Sequence, residues 1–366
     1  MRYVLDGVRF FQYVDKSTPQ VCSSTFMNIL TYHNPFFDHL SVFNLLKSVW
    51  SFWIDPETKK FGSNPIQNVF LYNLRLLFGV KAETLICKNP NQLYEVVGEK
   101  ISDNRPLYVR FNGSSLGRDV NDFGNIEEHY THVIYGIDTL KGQILIQNNE
   151  LQKQGWISID EAARRLALNK VIDLQVSDFK PLMENRIIEL LLRKVKGNFK
   201  KFGPVHTLAR LARRVVRGKV QQDLPPRGKV CGIRGIHEFA NTIQNMKKQP
   251  VNASGSYARF ACREIMVHLK KRENVIQVLN SLAVSSQYKT ELQILMQEWK
   301  GLSKSWAQSS KSFAKVYMSH SEQDYDKMSL YMHQTAEKEA ETLKTLQRFL
   351  YKLRPCAKHI TFNPKK

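Results

Sequence analysis

The sequence predicts an α+β protein: a lobe of helices followed by an antiparallel sheet, and then an all-α helical domain. Three observations lead there. Over residues 1–178 the apolar spacing switches between the 3.6-residue period of helices and the 2-residue period of strands, whereas over 179–366 the helical period runs almost alone. Two strand-like runs, HVIYGID and QILIQNN, are joined by the short turn TLKG, which favours an antiparallel hairpin. The net charge of +21 is also uneven: residues 1–180 carry 19 basic and 19 acidic side chains, and residues 181–366 carry 35 and 14. A chain of 366 residues, 42% apolar and 11% aromatic, is long enough for two cores, so the boundary is set near 178.

MRYVLDGVRFFQYVDK reads as one or two strands, and Pro19 closes a turn. From about Val21 to Tyr32 the apolar residues Phe26, Ile29 and Leu30 recur at helical spacing. A second helix is expected over His39–Trp53, then a turn-rich loop, DPETKKFGSNP, then a helix opened by Pro65, whose missing N–H is one the first turn leaves unbonded anyway. LFGVKAETLIC is a helix end, a glycine stop and a strand; Asn91–Ser102 is a helix and PLYVRFN a strand. Residues 113–128, with three glycines, form a loop long enough to overhang a site. After the hairpin, Ser158 is placed as an N-cap with Glu161 three residues on, and VIDLQVS closes the sheet.

In the second half helices are expected at Met183–Lys196, His206–Val220 and Cys231–Met246, with QQDLPPRGKV and QPVNASGS as breaks. Three long helices follow, about Tyr257–Lys270, Glu273–Ser310 with a break at Ser285–Ser286, and Asp324–Lys352. The last carries Met328, Met332, Ala336, Ala340, Leu343, Leu346 and Leu350 along one side, as a bundle member does.

The chemistry centres on Cys22, His132 and Asn148. A thiol in the first turn of a helix faces unbonded N–H groups and the positive end of the helix dipole, both of which favour the thiolate. His132 opens one hairpin strand and Asn148 closes the other, so antiparallel pairing sets the amide beside the imidazole. Nucleophile, base and orienter are the three parts of covalent acyl chemistry. A lone cysteine reads first as a small buried hydrophobe, and the His and Asn reverse that preference. Asn149 is the alternate orienter, one residue out of phase. Backbone N–H at Cys22 and the amide of Gln20 are the candidate oxyanion donors. His129 and His132 lie three apart in a strand and face opposite ways, so no metal site is expected. Glu127 and Glu128 read as a solvated loop edge, and His33 and His39 as cleft wall.

On these residues the chain resembles the papain-like cysteine fold, in the branch of the bacteriocin-processing peptidases, where the nucleophilic Cys opens a helix and the orienting residue follows the His by sixteen. Those peptidases carry Gln six residues before the Cys; Lys16 stands there in this chain. More of the chain is similar to the butirosin biosynthesis protein H family of acyltransferases, which places a helical domain, with a GI-x-GI-x-x-F-A helix like Gly232–Ala240, behind the cysteine domain. That resemblance implies transfer of an acyl or aminoacyl group, in secondary-metabolite assembly, from the phosphopantetheine thioester of an acyl carrier protein through Cys22 to a small amine, with no bound cofactor. The rival expectations are a cysteine peptidase or amide hydrolase on the same residues, and a non-catalytic scaffold that binds an acidic partner.

Because the excess charge lies in the second half, a partner drawn by long-range field is met there. The basic run 193–217, with Arg210, Arg213, Arg214 and Arg217, would suit an acidic carrier protein, and it would also serve as a solvated helical face. No nucleic-acid module and no interleaving of basic with aromatic residues is present, which argues against nucleic acid. Five scattered cysteines, no leader-like opening and no run long enough to span a membrane lead to the expectation of a cytoplasmic protein with reduced thiols. Cys87 and Cys262 read as buried hydrophobes.

Overall fold

The structure is a computed structural model, and it describes residues 1–11, 21–47, 52–54, 59, 61–63, 66–112, 129–148, 152–176, 184–199, 230–247, 251–319, 321–355 and 361–362. The helices are α1 (Val21–His33), α2 (Leu40–Lys47), α3 (Ile66–Phe78), α4 (Pro90–Ser102), α5 (Ile159–Arg165), α6 (Glu184–Asn198), α7 (Gly232–Met246), α8 (Val251–Asn280), α9 (Ser286–Ser319) and α10 (Glu322–Leu353). The strands are β1 (Arg2–Val4), β2 (Phe52–Ile54), β3 (Phe61–Ser63), β4 (Lys81–Ile86), β5 (Leu107–Asn112), β6 (His129–Asp138), β7 (Gln143–Asn148), β8 (Lys153–Ser158), β9 (Leu166–Gln175), β10 (Val230–Cys231), β11 (Leu282–Ala283) and β12 (Thr361–Phe362). The chain divides into two compact units, Met1–Phe43 with Leu74–Pro181, and Asn44–Asn73 with Leu182–Lys366, so the segment 44–73 counts with the second.

The first unit is built on a seven-stranded antiparallel sheet in the order β4-β9-β5-β6-β7-β8, with β1 paired to β6 beyond the end of β5. The β6–β7 hairpin turns as its sequence requires: Asp138 accepts hydrogen bonds from the backbone N–H of Leu140 and of Lys141, both 3.1 Å, and Gly142 takes φ +60°. A bulge between Ile134 and Gly136 lets β1 approach, and a Cβ at Gly136 would stand 3.1 Å from the Tyr3 carbonyl oxygen. Both faces of the sheet are covered. On one, Phe26 of α1 stacks on Tyr108 at 4.2 Å. On the other lie α4, through Leu93, Val97 and Ile101, and α5, through Ile159 and Ala162. The Ser158 hydroxyl accepts the Glu161 N–H at 3.2 Å, which caps α5.

The second unit is mostly helical, with two small strand sets, β10-β2-β3 and β11-β12. Several elements depart from the sequence reading. The helix expected over His39–Trp53 ends at Lys47, and Phe52–Ile54 pairs instead with β3, which lies in the expected loop. Helix α8 starts at Val251 and runs without a break to Asn280 across NASGS, since one glycine costs only about 1 kcal/mol in a helix. Its end comes where Ser281 turns back to the Gln277 carbonyl and Leu282–Ala283 pairs with Thr361–Phe362. Helix α9 then runs on to Ser319. Inside this unit a charged cluster is fully enclosed: Arg272 of α8 is paired with Glu339 of α10, which also accepts the Trp306 Nε1–H at 2.8 Å.

Candidate functional site

The hairpin does bring His132 and Asn148 together. In the β6–β7 register Val133 is opposite Gln147 and Ile134 opposite Ile146, so His132 and Asn148 form the next and last rung. Their side chains meet with Asn148 Nδ2 3.2 Å from His132 Nε2, and both residues are buried. With the amide so turned, Nδ2–H donates to Nε2; a half-turn of the amide sets Oδ1 there to accept Nε2–H. Only the second arrangement makes Nδ1 the basic nitrogen. The ring also lies against Phe111, centroids 5.0 Å apart, which fixes its plane.

Cys22 is the second residue of α1, as its position after Pro19 predicts, and its side chain lies outside the described residues. One turn later the same helix grips the sheet: Thr25 Oγ1 and Thr131 Oγ1 share a hydrogen bond of 2.7 Å. That contact sets α1 beside the residue that precedes His132.

It also settles which side of the sheet each group occupies. Tyr108, under Phe26, is opposite Val133, and Thr131 is held by Thr25, so Thr131 and Val133 both face α1. His132, between them, faces the other way, as its contact with Phe111 shows. Asp173, which lies 4.0 Å from Lys100 of α4, pairs with Leu107 on that same second face. The imidazole and α1 therefore stand on opposite faces of the sheet. At this end of the sheet β7 runs to Asn148 and β6 begins at His129.

Gln147, one residue before Asn148, faces α1. It is completely buried, and neither its Oε1 nor its Nε2 has a hydrogen-bond partner among the described residues. Nothing in the sequence singles it out beyond a polar residue in an apolar strand, QILIQNN. His33, at the end of α1, has its imidazole pushed below the usual range by burial, and secondarily by the charge of Arg105. Burial pushes the thiols of Cys87 and Cys262 up, which makes both poor nucleophiles at neutral pH.

Gln20, Asn149, the loop 113–128 and Arg210, Arg213, Arg214 and Arg217 lie outside the described residues. Among the described residues no group of three or more His, Cys, Asp or Glu side chains is placed to hold a metal ion, and no helix is long and apolar enough to cross a membrane. No protein-family model matches the chain, and no curated protein does.

Proposed function

We propose that this protein is a cysteine-dependent acyltransferase on a papain-like lobe. The observation that supports it is the buried His132–Asn148 rung, beside the strand residue that α1 grips one turn after Cys22. Asn148, with Oδ1 toward the ring, orients His132, and Nδ1 takes the Cys22 proton. The thiolate attacks the carbonyl carbon of a carrier-bound thioester; the new S–C bond forms, the old one breaks, and the imidazolium gives its proton to the departing thiol. An amine then attacks the acyl-enzyme, loses its proton through His132, and Cys22 leaves as a thiol. Because α1 and the ring occupy opposite faces, sulfur and imidazole meet past the end of β7. The acidic donor partner is drawn to the basic second half of the chain.

The test is to incubate the protein with acyl-loaded carrier protein or a simple acyl thioester and to follow intact mass. An adduct that maps to Cys22 and is discharged by an amine supports acyl transfer; discharge by water alone makes it a hydrolase. The facing of His132 away from α1 favours a second reading, in which the His–Asn pair only holds the sheet end together and the protein is a scaffold for an acidic partner. No adduct with any thioester, with Cys22→Ala indistinguishable from wild type, decides for the scaffold.

A further inference from the structure

Gln147 has no structural reason to be an amide. It sits in a row of three across the sheet, Tyr108–Val133–Gln147, on the face that α1 covers. It is wholly enclosed, yet its donor and acceptor atoms lack partners among the described residues. A buried amide left in that state is destabilising, and folded chains rarely retain one without use. Helix α1 meets the sheet at Thr131, two residues along β6 from Val133, so Thr25, one turn after Cys22, lies at the same end of the sheet as Gln147. The first turn of α1 offers backbone N–H groups as well, at the positive end of the helix dipole.

We propose that Gln147 is a substrate-binding residue of the Cys22 site, its Nε2–H donating to the carbonyl oxygen of the acyl group together with the N–H groups of the first turn of α1. Such a pair of donors, one side chain and one backbone, holds the negative charge that develops on that oxygen when the thiolate adds. The inference rests on the acyl-transfer reading and adds to it the group that receives the oxyanion. It also accounts for the orphan: the amide is preserved for a ligand oxygen.

The experiment compares wild type with Gln147→Met, an apolar side chain of like length, and with Gln147→Glu, which keeps the shape but brings an acceptor where a donor is needed. Three readouts are taken: acylation of Cys22 by an acyl-pantetheine thioester, alkylation of Cys22 by iodoacetamide, which develops no oxyanion, and Tm. Gln147→Met is expected to slow acylation about 10²–10³-fold, the loss typical of one such donor, and to leave alkylation within twofold. Its Tm is expected to hold or to rise by ~2–4 °C, because an unpartnered amide has been removed. Gln147→Glu acylates as slowly or more slowly. If wild type acylates and both variants match it, this inference fails and acyl transfer stands. A Tm that falls together with both chemical rates makes Gln147 a structural residue and overturns it as well. If wild type gives no acyl-enzyme while Cys22 still alkylates, acyl transfer and this inference fall together.

Discussion

Replacing Glu339 by Met takes from the enclosed Arg272 the carboxylate to which its guanidinium is paired. The Arg272 guanidinium donates to both Glu339 oxygens, one at 3.1 Å through Nε, and lies 4.8 Å over the Trp306 ring. Arg272, Glu339 and Trp306 are each about 1% exposed or less. Breaking such a buried pair from one side costs about 3–5 kcal/mol, and stranding the Trp306 Nε1–H adds to it without being strictly additive. Taking about 4 kcal/mol for a unit of this size, Tm falls by ~8–16 °C. The double variant Arg272→Met with Glu339→Met removes both charges and recovers most of the loss, because the pair's attraction and its desolvation nearly cancel. Thermal unfolding followed by tryptophan fluorescence reads both, since Trp306 lies inside the cluster. A single variant that melts within 3 °C of wild type, or a double variant as unstable as the single, refutes the reasoning.

Lys194 is buried, with its Nζ 2.7 Å from the Leu45 carbonyl oxygen, and burial pushes its ammonium down to about 7. The unfolded chain keeps that proton to about 10.4, so the unfolded state binds more protons between these values and stability rises with pH through the window. Denaturant unfolding is expected to show wild type gaining about 2 kcal/mol between pH 7 and 9 relative to Lys194→Met; parallel pH profiles would remove the buried charge from the account. Asn148→Ala is expected to slow Cys22 acylation, by no more than the ~10²–10⁴ that a general base contributes, while Asn148→Asp retains more of the rate because a carboxylate accepts Nε2–H. Equal rates for all three chains would show that the amide orients nothing. Thr25→Val combined with Thr131→Val removes a buried hydroxyl pair. The double variant is expected to lose less stability than the two single ones summed, since the hydroxyls are coupled to each other; a strictly additive loss in a double-mutant cycle would contradict that.

The His132–Asn148 rung was legible to within one residue: counted from the turn at 139–142, opposite residues sum to 281, which sets His132 against Asn149, and the bulge between Ile134 and Gly136 lowers the sum to 280 and puts Asn148 there. The facing of that rung was not. In a sheet covered on one side, alternation of apolar and polar residues marks the inner face, but β6 is buried from Thr131 to Ile137 and shows no alternation. The side had to come from contacts distant in sequence, Thr25 with Thr131 and Phe26 with Tyr108. The helical stripe of α10 was readable at Met328, Met332, Ala336, Leu343, Leu346 and Leu350, all fully buried. Glu339 was invisible, because a lone carboxylate beside an apolar stripe normally faces water, and only Arg272, 67 residues earlier, makes its burial tolerable. Strand β11 was hidden for a similar reason, since its partner Thr361–Phe362 comes 78 residues later.

The central claim is that Cys22 and His132 share a proton. It is tested most directly by the rate of Cys22 alkylation against pH, followed on the Cys22 peptide by mass spectrometry, in wild type and in His132→Gln. A thiolate held by an imidazolium reacts with a midpoint well under the ~8.5 of a free thiol, and loss of His132 moves that midpoint up toward it. The same curve for both proteins, with a midpoint near that of a free thiol, would mean that the ring and the sulfur never meet.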